Sequence, residues 1–252
     1  MKAIMLAAGV GSRLSGGDDD HPPKVLLEFG GLTLLERHVR ALQGAGVAGL
    51  TLVVGYRAPD VQRALDALSL GDFVRVIENK EFRRGSVVSL WTARDALAGS
   101  GDVIFMDADV LYHPALLERL IHAEAPNCFL YDREFEPGDE PVKICLRHGR
   151  PVEFRKIVGG VYDQIGEWVG FLKLSEAYAR RLADTLDAFV AEQRLDEPME
   201  EAVRELLQAS PAGAFGICDV TDLPWIEIDF AADVAKARDV ILPAFEKVAE
   251  SK

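Results

Sequence analysis

The sequence predicts an α/β fold, a Rossmann-like three-layer arrangement on a mostly parallel sheet, with an antiparallel extension in its second half. Three observations carry that prediction. Short apolar runs alternate with stretches of helical spacing through the first half, the pattern of strands joined by crossover helices. A glycine-rich turn, Gly9-Val10-Gly11, follows the first apolar run directly, and from Val142 onward the pattern changes to closely spaced strands. At 252 residues with 49% hydrophobic content the chain can bury one substantial core, so residues 1–252 are expected to form a single domain.

Taken in order, apolar runs place strands at 3–8, 50–54, 73–77, 102–106 and 127–131. Thr33-Leu34-Leu35-Glu36 has capping-box spacing, and Leu35, Val39 and Leu42 continue it at helical intervals. Pro59-Asp60, Ser86 and His113-Pro114 read as further helix starts. Segments 142–147 and 151–157 flank His148-Gly149-Arg150, a turn signal, and read as a hairpin. A strand at 168–173 follows, then helices at 175–194 and 198–208, one or two strands within 214–228, and a last helix over 231–250. Neither an internal repeat nor a low-complexity linker divides the chain.

The formal charge of −13 repels nucleic acid and anionic membranes, and no cluster of Lys and Arg overturns it locally. The first residues lack a signal-peptide pattern and no run approaches a membrane span, which predicts a cytoplasmic protein. Cys128, Cys145 and Cys218 have neither the number nor the spacing of a disulfide framework or zinc site and read as core thiols. The five histidines show no metal-binding or catalytic spacing.

A glycine turn after a strand lets backbone N–H groups approach an anion. The text around Gly9 is neither a dinucleotide fingerprint, because Leu14 stands where a third glycine belongs, nor a P-loop, which needs glycine, lysine and a hydroxyl in succession. What remains is Leu6-Ala7-Ala8-Gly9-Val10-Gly11-Ser12-Arg13-Leu14, followed at a distance by Pro23-Lys24: a backbone cradle with a cation at each end.

This stretch resembles the signature loop of the nucleotidyltransferases that make activated sugars and alcohols, the NDP-sugar pyrophosphorylase-like superfamily. Phe105-Met106-Asp107-Ala108-Asp109-Val110 resembles that family's metal-binding strand end, Gly166-Glu167-Trp168-Val169-Gly170 its acceptor-side strand, and Trp225-Ile226-Glu227-Ile228-Asp229 the motif carrying its second metal ligand. The stretch 79–90 and the last motif are most similar to the branch of phosphocholine and 2-aminoethylphosphonate cytidylyltransferases. The resemblance implies a GT-A-like nucleotidyltransferase fold, with residues 1–135 as the nucleotide-binding half and 136–252 as the acceptor-binding half. It implies Mg2+ held by Asp109 and Asp229. Arg13 and Lys24 would bind the triphosphate, and Lys156 would approach the acceptor phosphate. Leu6, Ala7, Ala8, Gly9, Gly11, Ser12, Ser86, Ser89 and Asp107 are expected to contact the nucleotide. Lys156, Tyr162, Glu167, Trp168, Trp225 and Glu227 are expected on the acceptor side. A homodimer is common among such families and stays open. The acidic insert 16–22 departs from the common form of the loop and is expected to be solvated.

The chemistry suits these residue types. A phosphate monoester with a second pKa near about 6 is largely ionised at neutral pH and attacks phosphorus without a general base. The work left is charge neutralisation and in-line positioning. The expected reaction joins CTP to a small phosphate or phosphonate such as phosphocholine or 2-aminoethylphosphonate and releases pyrophosphate. A sugar-1-phosphate or inositol-phosphate acceptor is the nearest alternative. Asp107-Ala108-Asp109 is also the D-x-D of nucleotide-sugar glycosyltransferases, which lack the glycine loop, and a non-catalytic nucleotide sensor would not need every charged residue named here. Asp109 could instead cap the helix starting near Pro114, and Trp168 and Trp225 could be core aromatics.

Overall fold

The computed structural model describes residues 1–16, 21–136 and 138–249. In chain order these form β1 (Lys2–Ala7), α1 (Ser12–Ser15), β2 (Glu28–Phe29), β3 (Leu32–Thr33), α2 (Leu34–Gly44), β4 (Leu50–Val54), α3 (Ala58–Ala67), β5 (Val74–Glu78), α4 (Ser86–Thr92), α5 (Arg94–Leu97), β6 (Val103–Asp107), β7 (Val110–Tyr112), α6 (Ala115–Ile121) and β8 (Cys128–Asp132). The second half adds β9 (Lys143–Arg147), β10 (Arg150–Arg155), β11 (Gln164–Leu174), α7 (Glu176–Ala191), α8 (Met199–Gln208), β12 (Gly216–Asp219), β13 (Trp225–Glu227), α9 (Ala231–Lys236) and α10 (Leu242–Ala249).

One sheet runs through both halves in the order β10-β9-β11-β6-β1-β4-β5, with β8 against β11 and β12 against β8. β6, β1, β4 and β5 are mutually parallel, and β11 adds antiparallel to β6. β1, β4 and β6 are buried along most of their length on both faces, as crossover helices require, while β5 at the sheet edge is only partly covered. Along β6, Val103 and Phe105 enter one core with α4, α5, α7 and α8, while Ile104 and Met106 enter a second with α2, α3 and α6. That alternation makes the three layers. A third, smaller cluster of Phe29, Leu34, Leu111, Ile226, Ile228 and Ala237 ties β7 and β13 to the C-terminal helices.

The expected strands and the expected helices over 175–194 and 198–208 are present with shifts of a few residues at their ends. Thr33 caps α2, its hydroxyl accepting from the Glu36 N–H at 3.1 Å. The acceptor-side strand is longer than its apolar run, because Gln164–Glu167 pair with β9 although they are mostly polar. The last helical stretch is interrupted by a π-turn at Ala237–Ile241. β7 was not legible as a strand, and it lies between Asp109 and Pro114, so Asp109 does not cap the helix that follows. All three cysteines are buried and free, and burial pushes their thiols up. Among the described residues no helix is long and apolar enough to cross a membrane. The acidic insert falls partly on 17–20, outside the described residues.

Candidate active site

The C-terminal ends of β1 and β6 open side by side, the place where parallel sheets bind ligands. β1 hands the chain to Gly9 and then to Gly11, whose φ of +71° lies in the left-handed region that glycine favours. A side chain at Gly11 would stand 3.2 Å from Lys24 Cγ and 3.3 Å from the His21 ring, so the second glycine also makes room for the returning Pro-Lys segment. Pro23 then starts a single 3₁₀ turn at Lys24–Leu26, which aims the Lys24 ammonium back across the strand ends.

Lys24 Nζ donates to Asp109 Oδ2 at 2.9 Å and to Asp229 Oδ1 at 2.7 Å, and Arg13 donates to the same Asp229 oxygen at 3.0 Å. The two aspartates meet because β7 pairs with β13, Val110 opposite Glu227, and the Ile228 N–H donates to the Asp109 carbonyl at 2.9 Å. Asp233, in the first turn of α9, accepts from the backbone N–H groups of Asp229 and Phe230 at 2.9 and 2.7 Å and so fixes where Asp229 sits. Carboxylate oxygens of Asp109, Glu227 and Asp229 all lie within 4.8 Å of one another. Three convergent carboxylates are a donor set for a hard divalent cation such as Mg2+. The structure brings Glu227, expected on the acceptor side, to that same carboxylate group.

The electrostatics agree with a site built to receive a cation. Burial alone would lower the Lys24 ammonium, but Asp109 and Asp229 outweigh it and hold Lys24 above its ordinary value. Burial, then the charges of Asp109 and Asp229, push the Glu227 carboxyl up. Asp107 is raised for the same reasons, by burial first and then by Asp109 and Glu227. Two cations, Lys24 and Arg13, among the four carboxyls of Asp107, Asp109, Glu227 and Asp229 leave the cluster short of positive charge.

Two cavities meet at this cluster. One, of about 380 Å³, is lined by Leu6, Ala8, Gly9, Gly11, Ser12, Arg13, Lys24, Ser86, Ser89, Asp107, Asp109 and Lys156 among the residues expected there; Ala7 lines a smaller recess beside it. The other, of about 830 Å³, takes in Glu167 and Trp225. Glu227 and Asp229 line both.

Two expected residues fall elsewhere. Trp168 is 4% exposed, stacked 6.1 Å from Phe105, and donates its indole N–H to the Phe171 carbonyl, so it is a core side chain. It sits on the inward face of β11, whereas Glu167 next to it faces the cavity. Tyr162 donates to the Gly159 carbonyl, carries the Arg147 guanidinium over its ring, and lines neither cavity. Conversely, Phe82, Arg84, Met199 and Glu200 line the first cavity and were not singled out by sequence. Arg83-Arg84 in the strand-to-helix turn was the available signal for Arg84. Nothing in the text marks Glu200, which reaches the cleft because Ser86 Oγ accepts from the Met199 N–H at 2.8 Å and docks α8 on α4. Glu140 was also missed; it pairs with both Arg13 and Lys156 and lines the larger cavity.

Residues 3–203 match the family described as the MobA-like NTP transferase domain. The chain belongs to this family. Among its relatives, a bifunctional IPC transferase and DIPP synthase of Rubrobacter xylanophilus is 31% identical over 244 residues, covering 95% of this chain and 52% of the relative. A CMP-5'-(3-aminopropyl)phosphonate synthase of Streptomyces rubellomurinus is 28% identical, covering 94% and 38%. The chain thus spans about half of the first relative and less of the second. A CTP:phosphoglutamine cytidylyltransferase of Campylobacter jejuni is 26% identical, covering 93% of this chain and 98% of that one. The inositol-1-phosphate CTP transferase from T. maritima superposes with a TM-score of 0.78 at 20% identity over 99% of this chain and 96% of its own. The CTP:phosphocholine cytidylyltransferase from Streptococcus pneumoniae gives 0.72 at 19% over 95% and 98%. These superpositions, each over 95% or more of this chain, show that it shares its α/β fold with both structures.

Proposed function

We propose that this chain is a Mg2+-dependent cytidylyltransferase that joins CTP to a small phosphate or phosphonate carrying an ammonium group, with release of pyrophosphate. The observation that carries the reading is the shared border of the two cavities, where Glu227 and Asp229 face both and Lys24 and Arg13 stand beside them. Two anions brought in from opposite sides meet there, and their mutual repulsion is what the site must offset. The glycine turn, Arg13 and Lys24 hold the triphosphate, and Ser86, Ser89 and Asp107 lie along the nucleotide. Lys156 is placed to bring the acceptor phosphate to the α-phosphorus. Asp109 and Asp229, with Glu227 beside them, would hold Mg2+, which would supply charge neutralisation and orientation to the reacting phosphates. A bond forms from the acceptor oxygen to the α-phosphorus, and the bond to the bridging oxygen of pyrophosphate breaks.

The cytosine preference is supported by the relatives that use CTP. The ammonium preference is supported by the walls of the larger cavity, where Asp132, Glu134, Glu136 and Glu167 face Trp225 and Phe230. Carboxylates and ring faces both attract ammonium groups, the rings by about 0.5–2 kcal/mol. The test is a pyrophosphate-release matrix of four nucleoside triphosphates against phosphocholine, phosphoethanolamine, 2-aminoethylphosphonate, inositol 1-phosphate and glucose 1-phosphate. The expected result is turnover with CTP and an amine-bearing acceptor. Turnover confined to the sugar or inositol phosphates overturns the ammonium reading, and consumption of nucleotide sugars as donors overturns the nucleotidyl-transfer reaction.

A further inference from the structure

Behind the metal carboxylates, between α2, β7 and α10, lies a separate cavity of about 320 Å³. Its walls are largely apolar, from Ala41, Leu111, Tyr112 and Phe245, and two guanidinium-bearing residues, Arg37 and Arg40, stand among them. The chain as a whole has net charge −13, so this pair of cations stands against the overall charge. Burial, and then the charge of Arg40, hold the Arg37 guanidinium below its ordinary value. Arg40 pairs with Glu36 and Arg37 donates to the Phe29 carbonyl at 3.1 Å, so an anion in the cavity would be the first carboxylate-like partner of Arg37 among the described residues. Glu118 is the one acidic lining residue among those described. Two polar atoms are enclosed behind the aromatic wall. Tyr112 is 6% exposed and its hydroxyl has no hydrogen-bond partner, nor has Nδ1 of His38, whose ring lies 5.4 Å away. Buried polar groups are ordinarily partnered.

We propose that this cavity is an effector site for a small organic anion with an apolar body, a carboxylate, sulfonate or phosphate ester of a ring or a branched chain. The volume suits a compact ligand of this kind, and apolar walls with a few placed polar groups are what such ligands fill. The site bears on the reaction because its two main walls hold Asp109. His38, on α2 between Arg37 and the turn carrying Ala41, donates its Nε2–H to the carbonyl of Ala108 at 3.0 Å, in the peptide just before Asp109. β7 begins at Val110, just after Asp109, and its pairing with β13 sets Glu227. A ligand wedged between α2 and β7 therefore pushes on both supports of the carboxylate cluster. Coupling between distinct sites commonly changes affinity by about 5–150-fold.

The probe is 8-anilinonaphthalene-1-sulfonate, followed by its fluorescence on the full chain, with CTP binding in the presence of Mg2+ followed by calorimetry. The expected result is one saturable probe site, weakened at least about tenfold by Arg40→Glu, which reverses the charge, and by Ala41→Trp, which fills the space. Saturating probe should shift the CTP affinity at least about fivefold in the wild type and leave it unmoved in either variant. Arg40→Glu leaves the space open and lies outside the cleft, so its CTP binding without probe stays at the wild-type level, whereas Ala41→Trp occupies the ligand's space and should itself shift CTP affinity in the direction the probe does. Probe binding that is absent, non-saturating or indifferent to both substitutions overturns the site. Saturable binding that leaves CTP affinity unchanged overturns its effector role. Both readouts are binding measurements, so they stand whatever acceptor the enzyme uses.

Discussion

Lys24 is the residue on which most of the site's electrostatics converge, since its ammonium touches both Asp109 and Asp229 and is held charged by them although its side chain is only 14% exposed. Lys24→Ala should lower kcat/KM for CTP by about 10²–10³-fold, the scale of losing one preorganised charge in a water-poor site, with far-UV circular dichroism unchanged. Near-wild-type pyrophosphate release from that variant would remove Lys24 from the mechanism. Glu167 offers a prediction of a different kind. Burial first, and then the Asp132 charge directly opposite it in the β11–β8 register, hold its carboxyl up at about 7. A carboxyl raised on folding keeps a proton that the unfolded chain has released, so it costs stability as pH rises from the ordinary carboxylate range toward 7. Glu167→Gln removes that ionisation, and its urea midpoint should decline less than the wild type's between about pH 5 and 8. Parallel declines would show that Glu167 ionises freely. Which of two neighbours on a strand faces a cavity is a parity question, and the sequence offered Glu167 and Trp168 together without deciding it; the buried ring of Trp168 shows which way the strand sits.

At the scale of elements, β11 shows how a site residue depends on irregular backbone. Its pairing with β8 shifts register between Trp168 and Leu172, and Gly170 within that break has φ +87°. A methyl there would stand 3.2 Å from Val110 Cγ2 and 3.4 Å from Asp107 Oδ2, so the bulge is what lets β11 pass under the Asp107–Val110 turn. Gly170→Ala should destabilise the fold by about 1–3 kcal/mol in urea titrations through its backbone conformation, and should also depress turnover because Asp107 is displaced. A stability within 0.5 kcal/mol (about the ordinary surface effect) would mean the bulge relaxes freely. Strands with strong apolar runs, such as 50–54, were legible because burial on both faces writes itself as a continuous run. β7 was not, because three residues hold no periodicity. The polar start of β11 was hidden because its partner β9, rather than its own composition, makes it a strand. The glycine loop and the aspartate motifs were legible because backbone conformation and charge are local demands. Glu140, Met199 and Glu200 were not, since they enter the site only through the docking of distant segments.

For the molecule as a whole, the carboxylate cluster joins its two halves, since Asp109 follows β6 and Asp229 follows β13. Any cation bound there bridges the parallel sheet to the C-terminal helices through β7 and β13. Binding to the folded state alone raises stability by about 2.7 kcal/mol when the ligand stands at 100 times its Kd. For a chain of this size a stabilisation of 1 kcal/mol moves Tm by about 2–4 °C, so saturating Mg2+ should raise Tm by about 5–10 °C and EDTA should reverse the shift. Asp229→Asn should abolish the Mg2+ response. It also removes one charge from a crowded set of like charges, so its Tm without metal should stay near the wild type's or rise above it, a sign opposite to that expected if Asp229 only paired Arg13 and Lys24. If Asp229→Asn instead lowers Tm without metal and still gains from Mg2+, the cation binds elsewhere and Asp229 serves only as the ion-pair partner of Lys24 and Arg13.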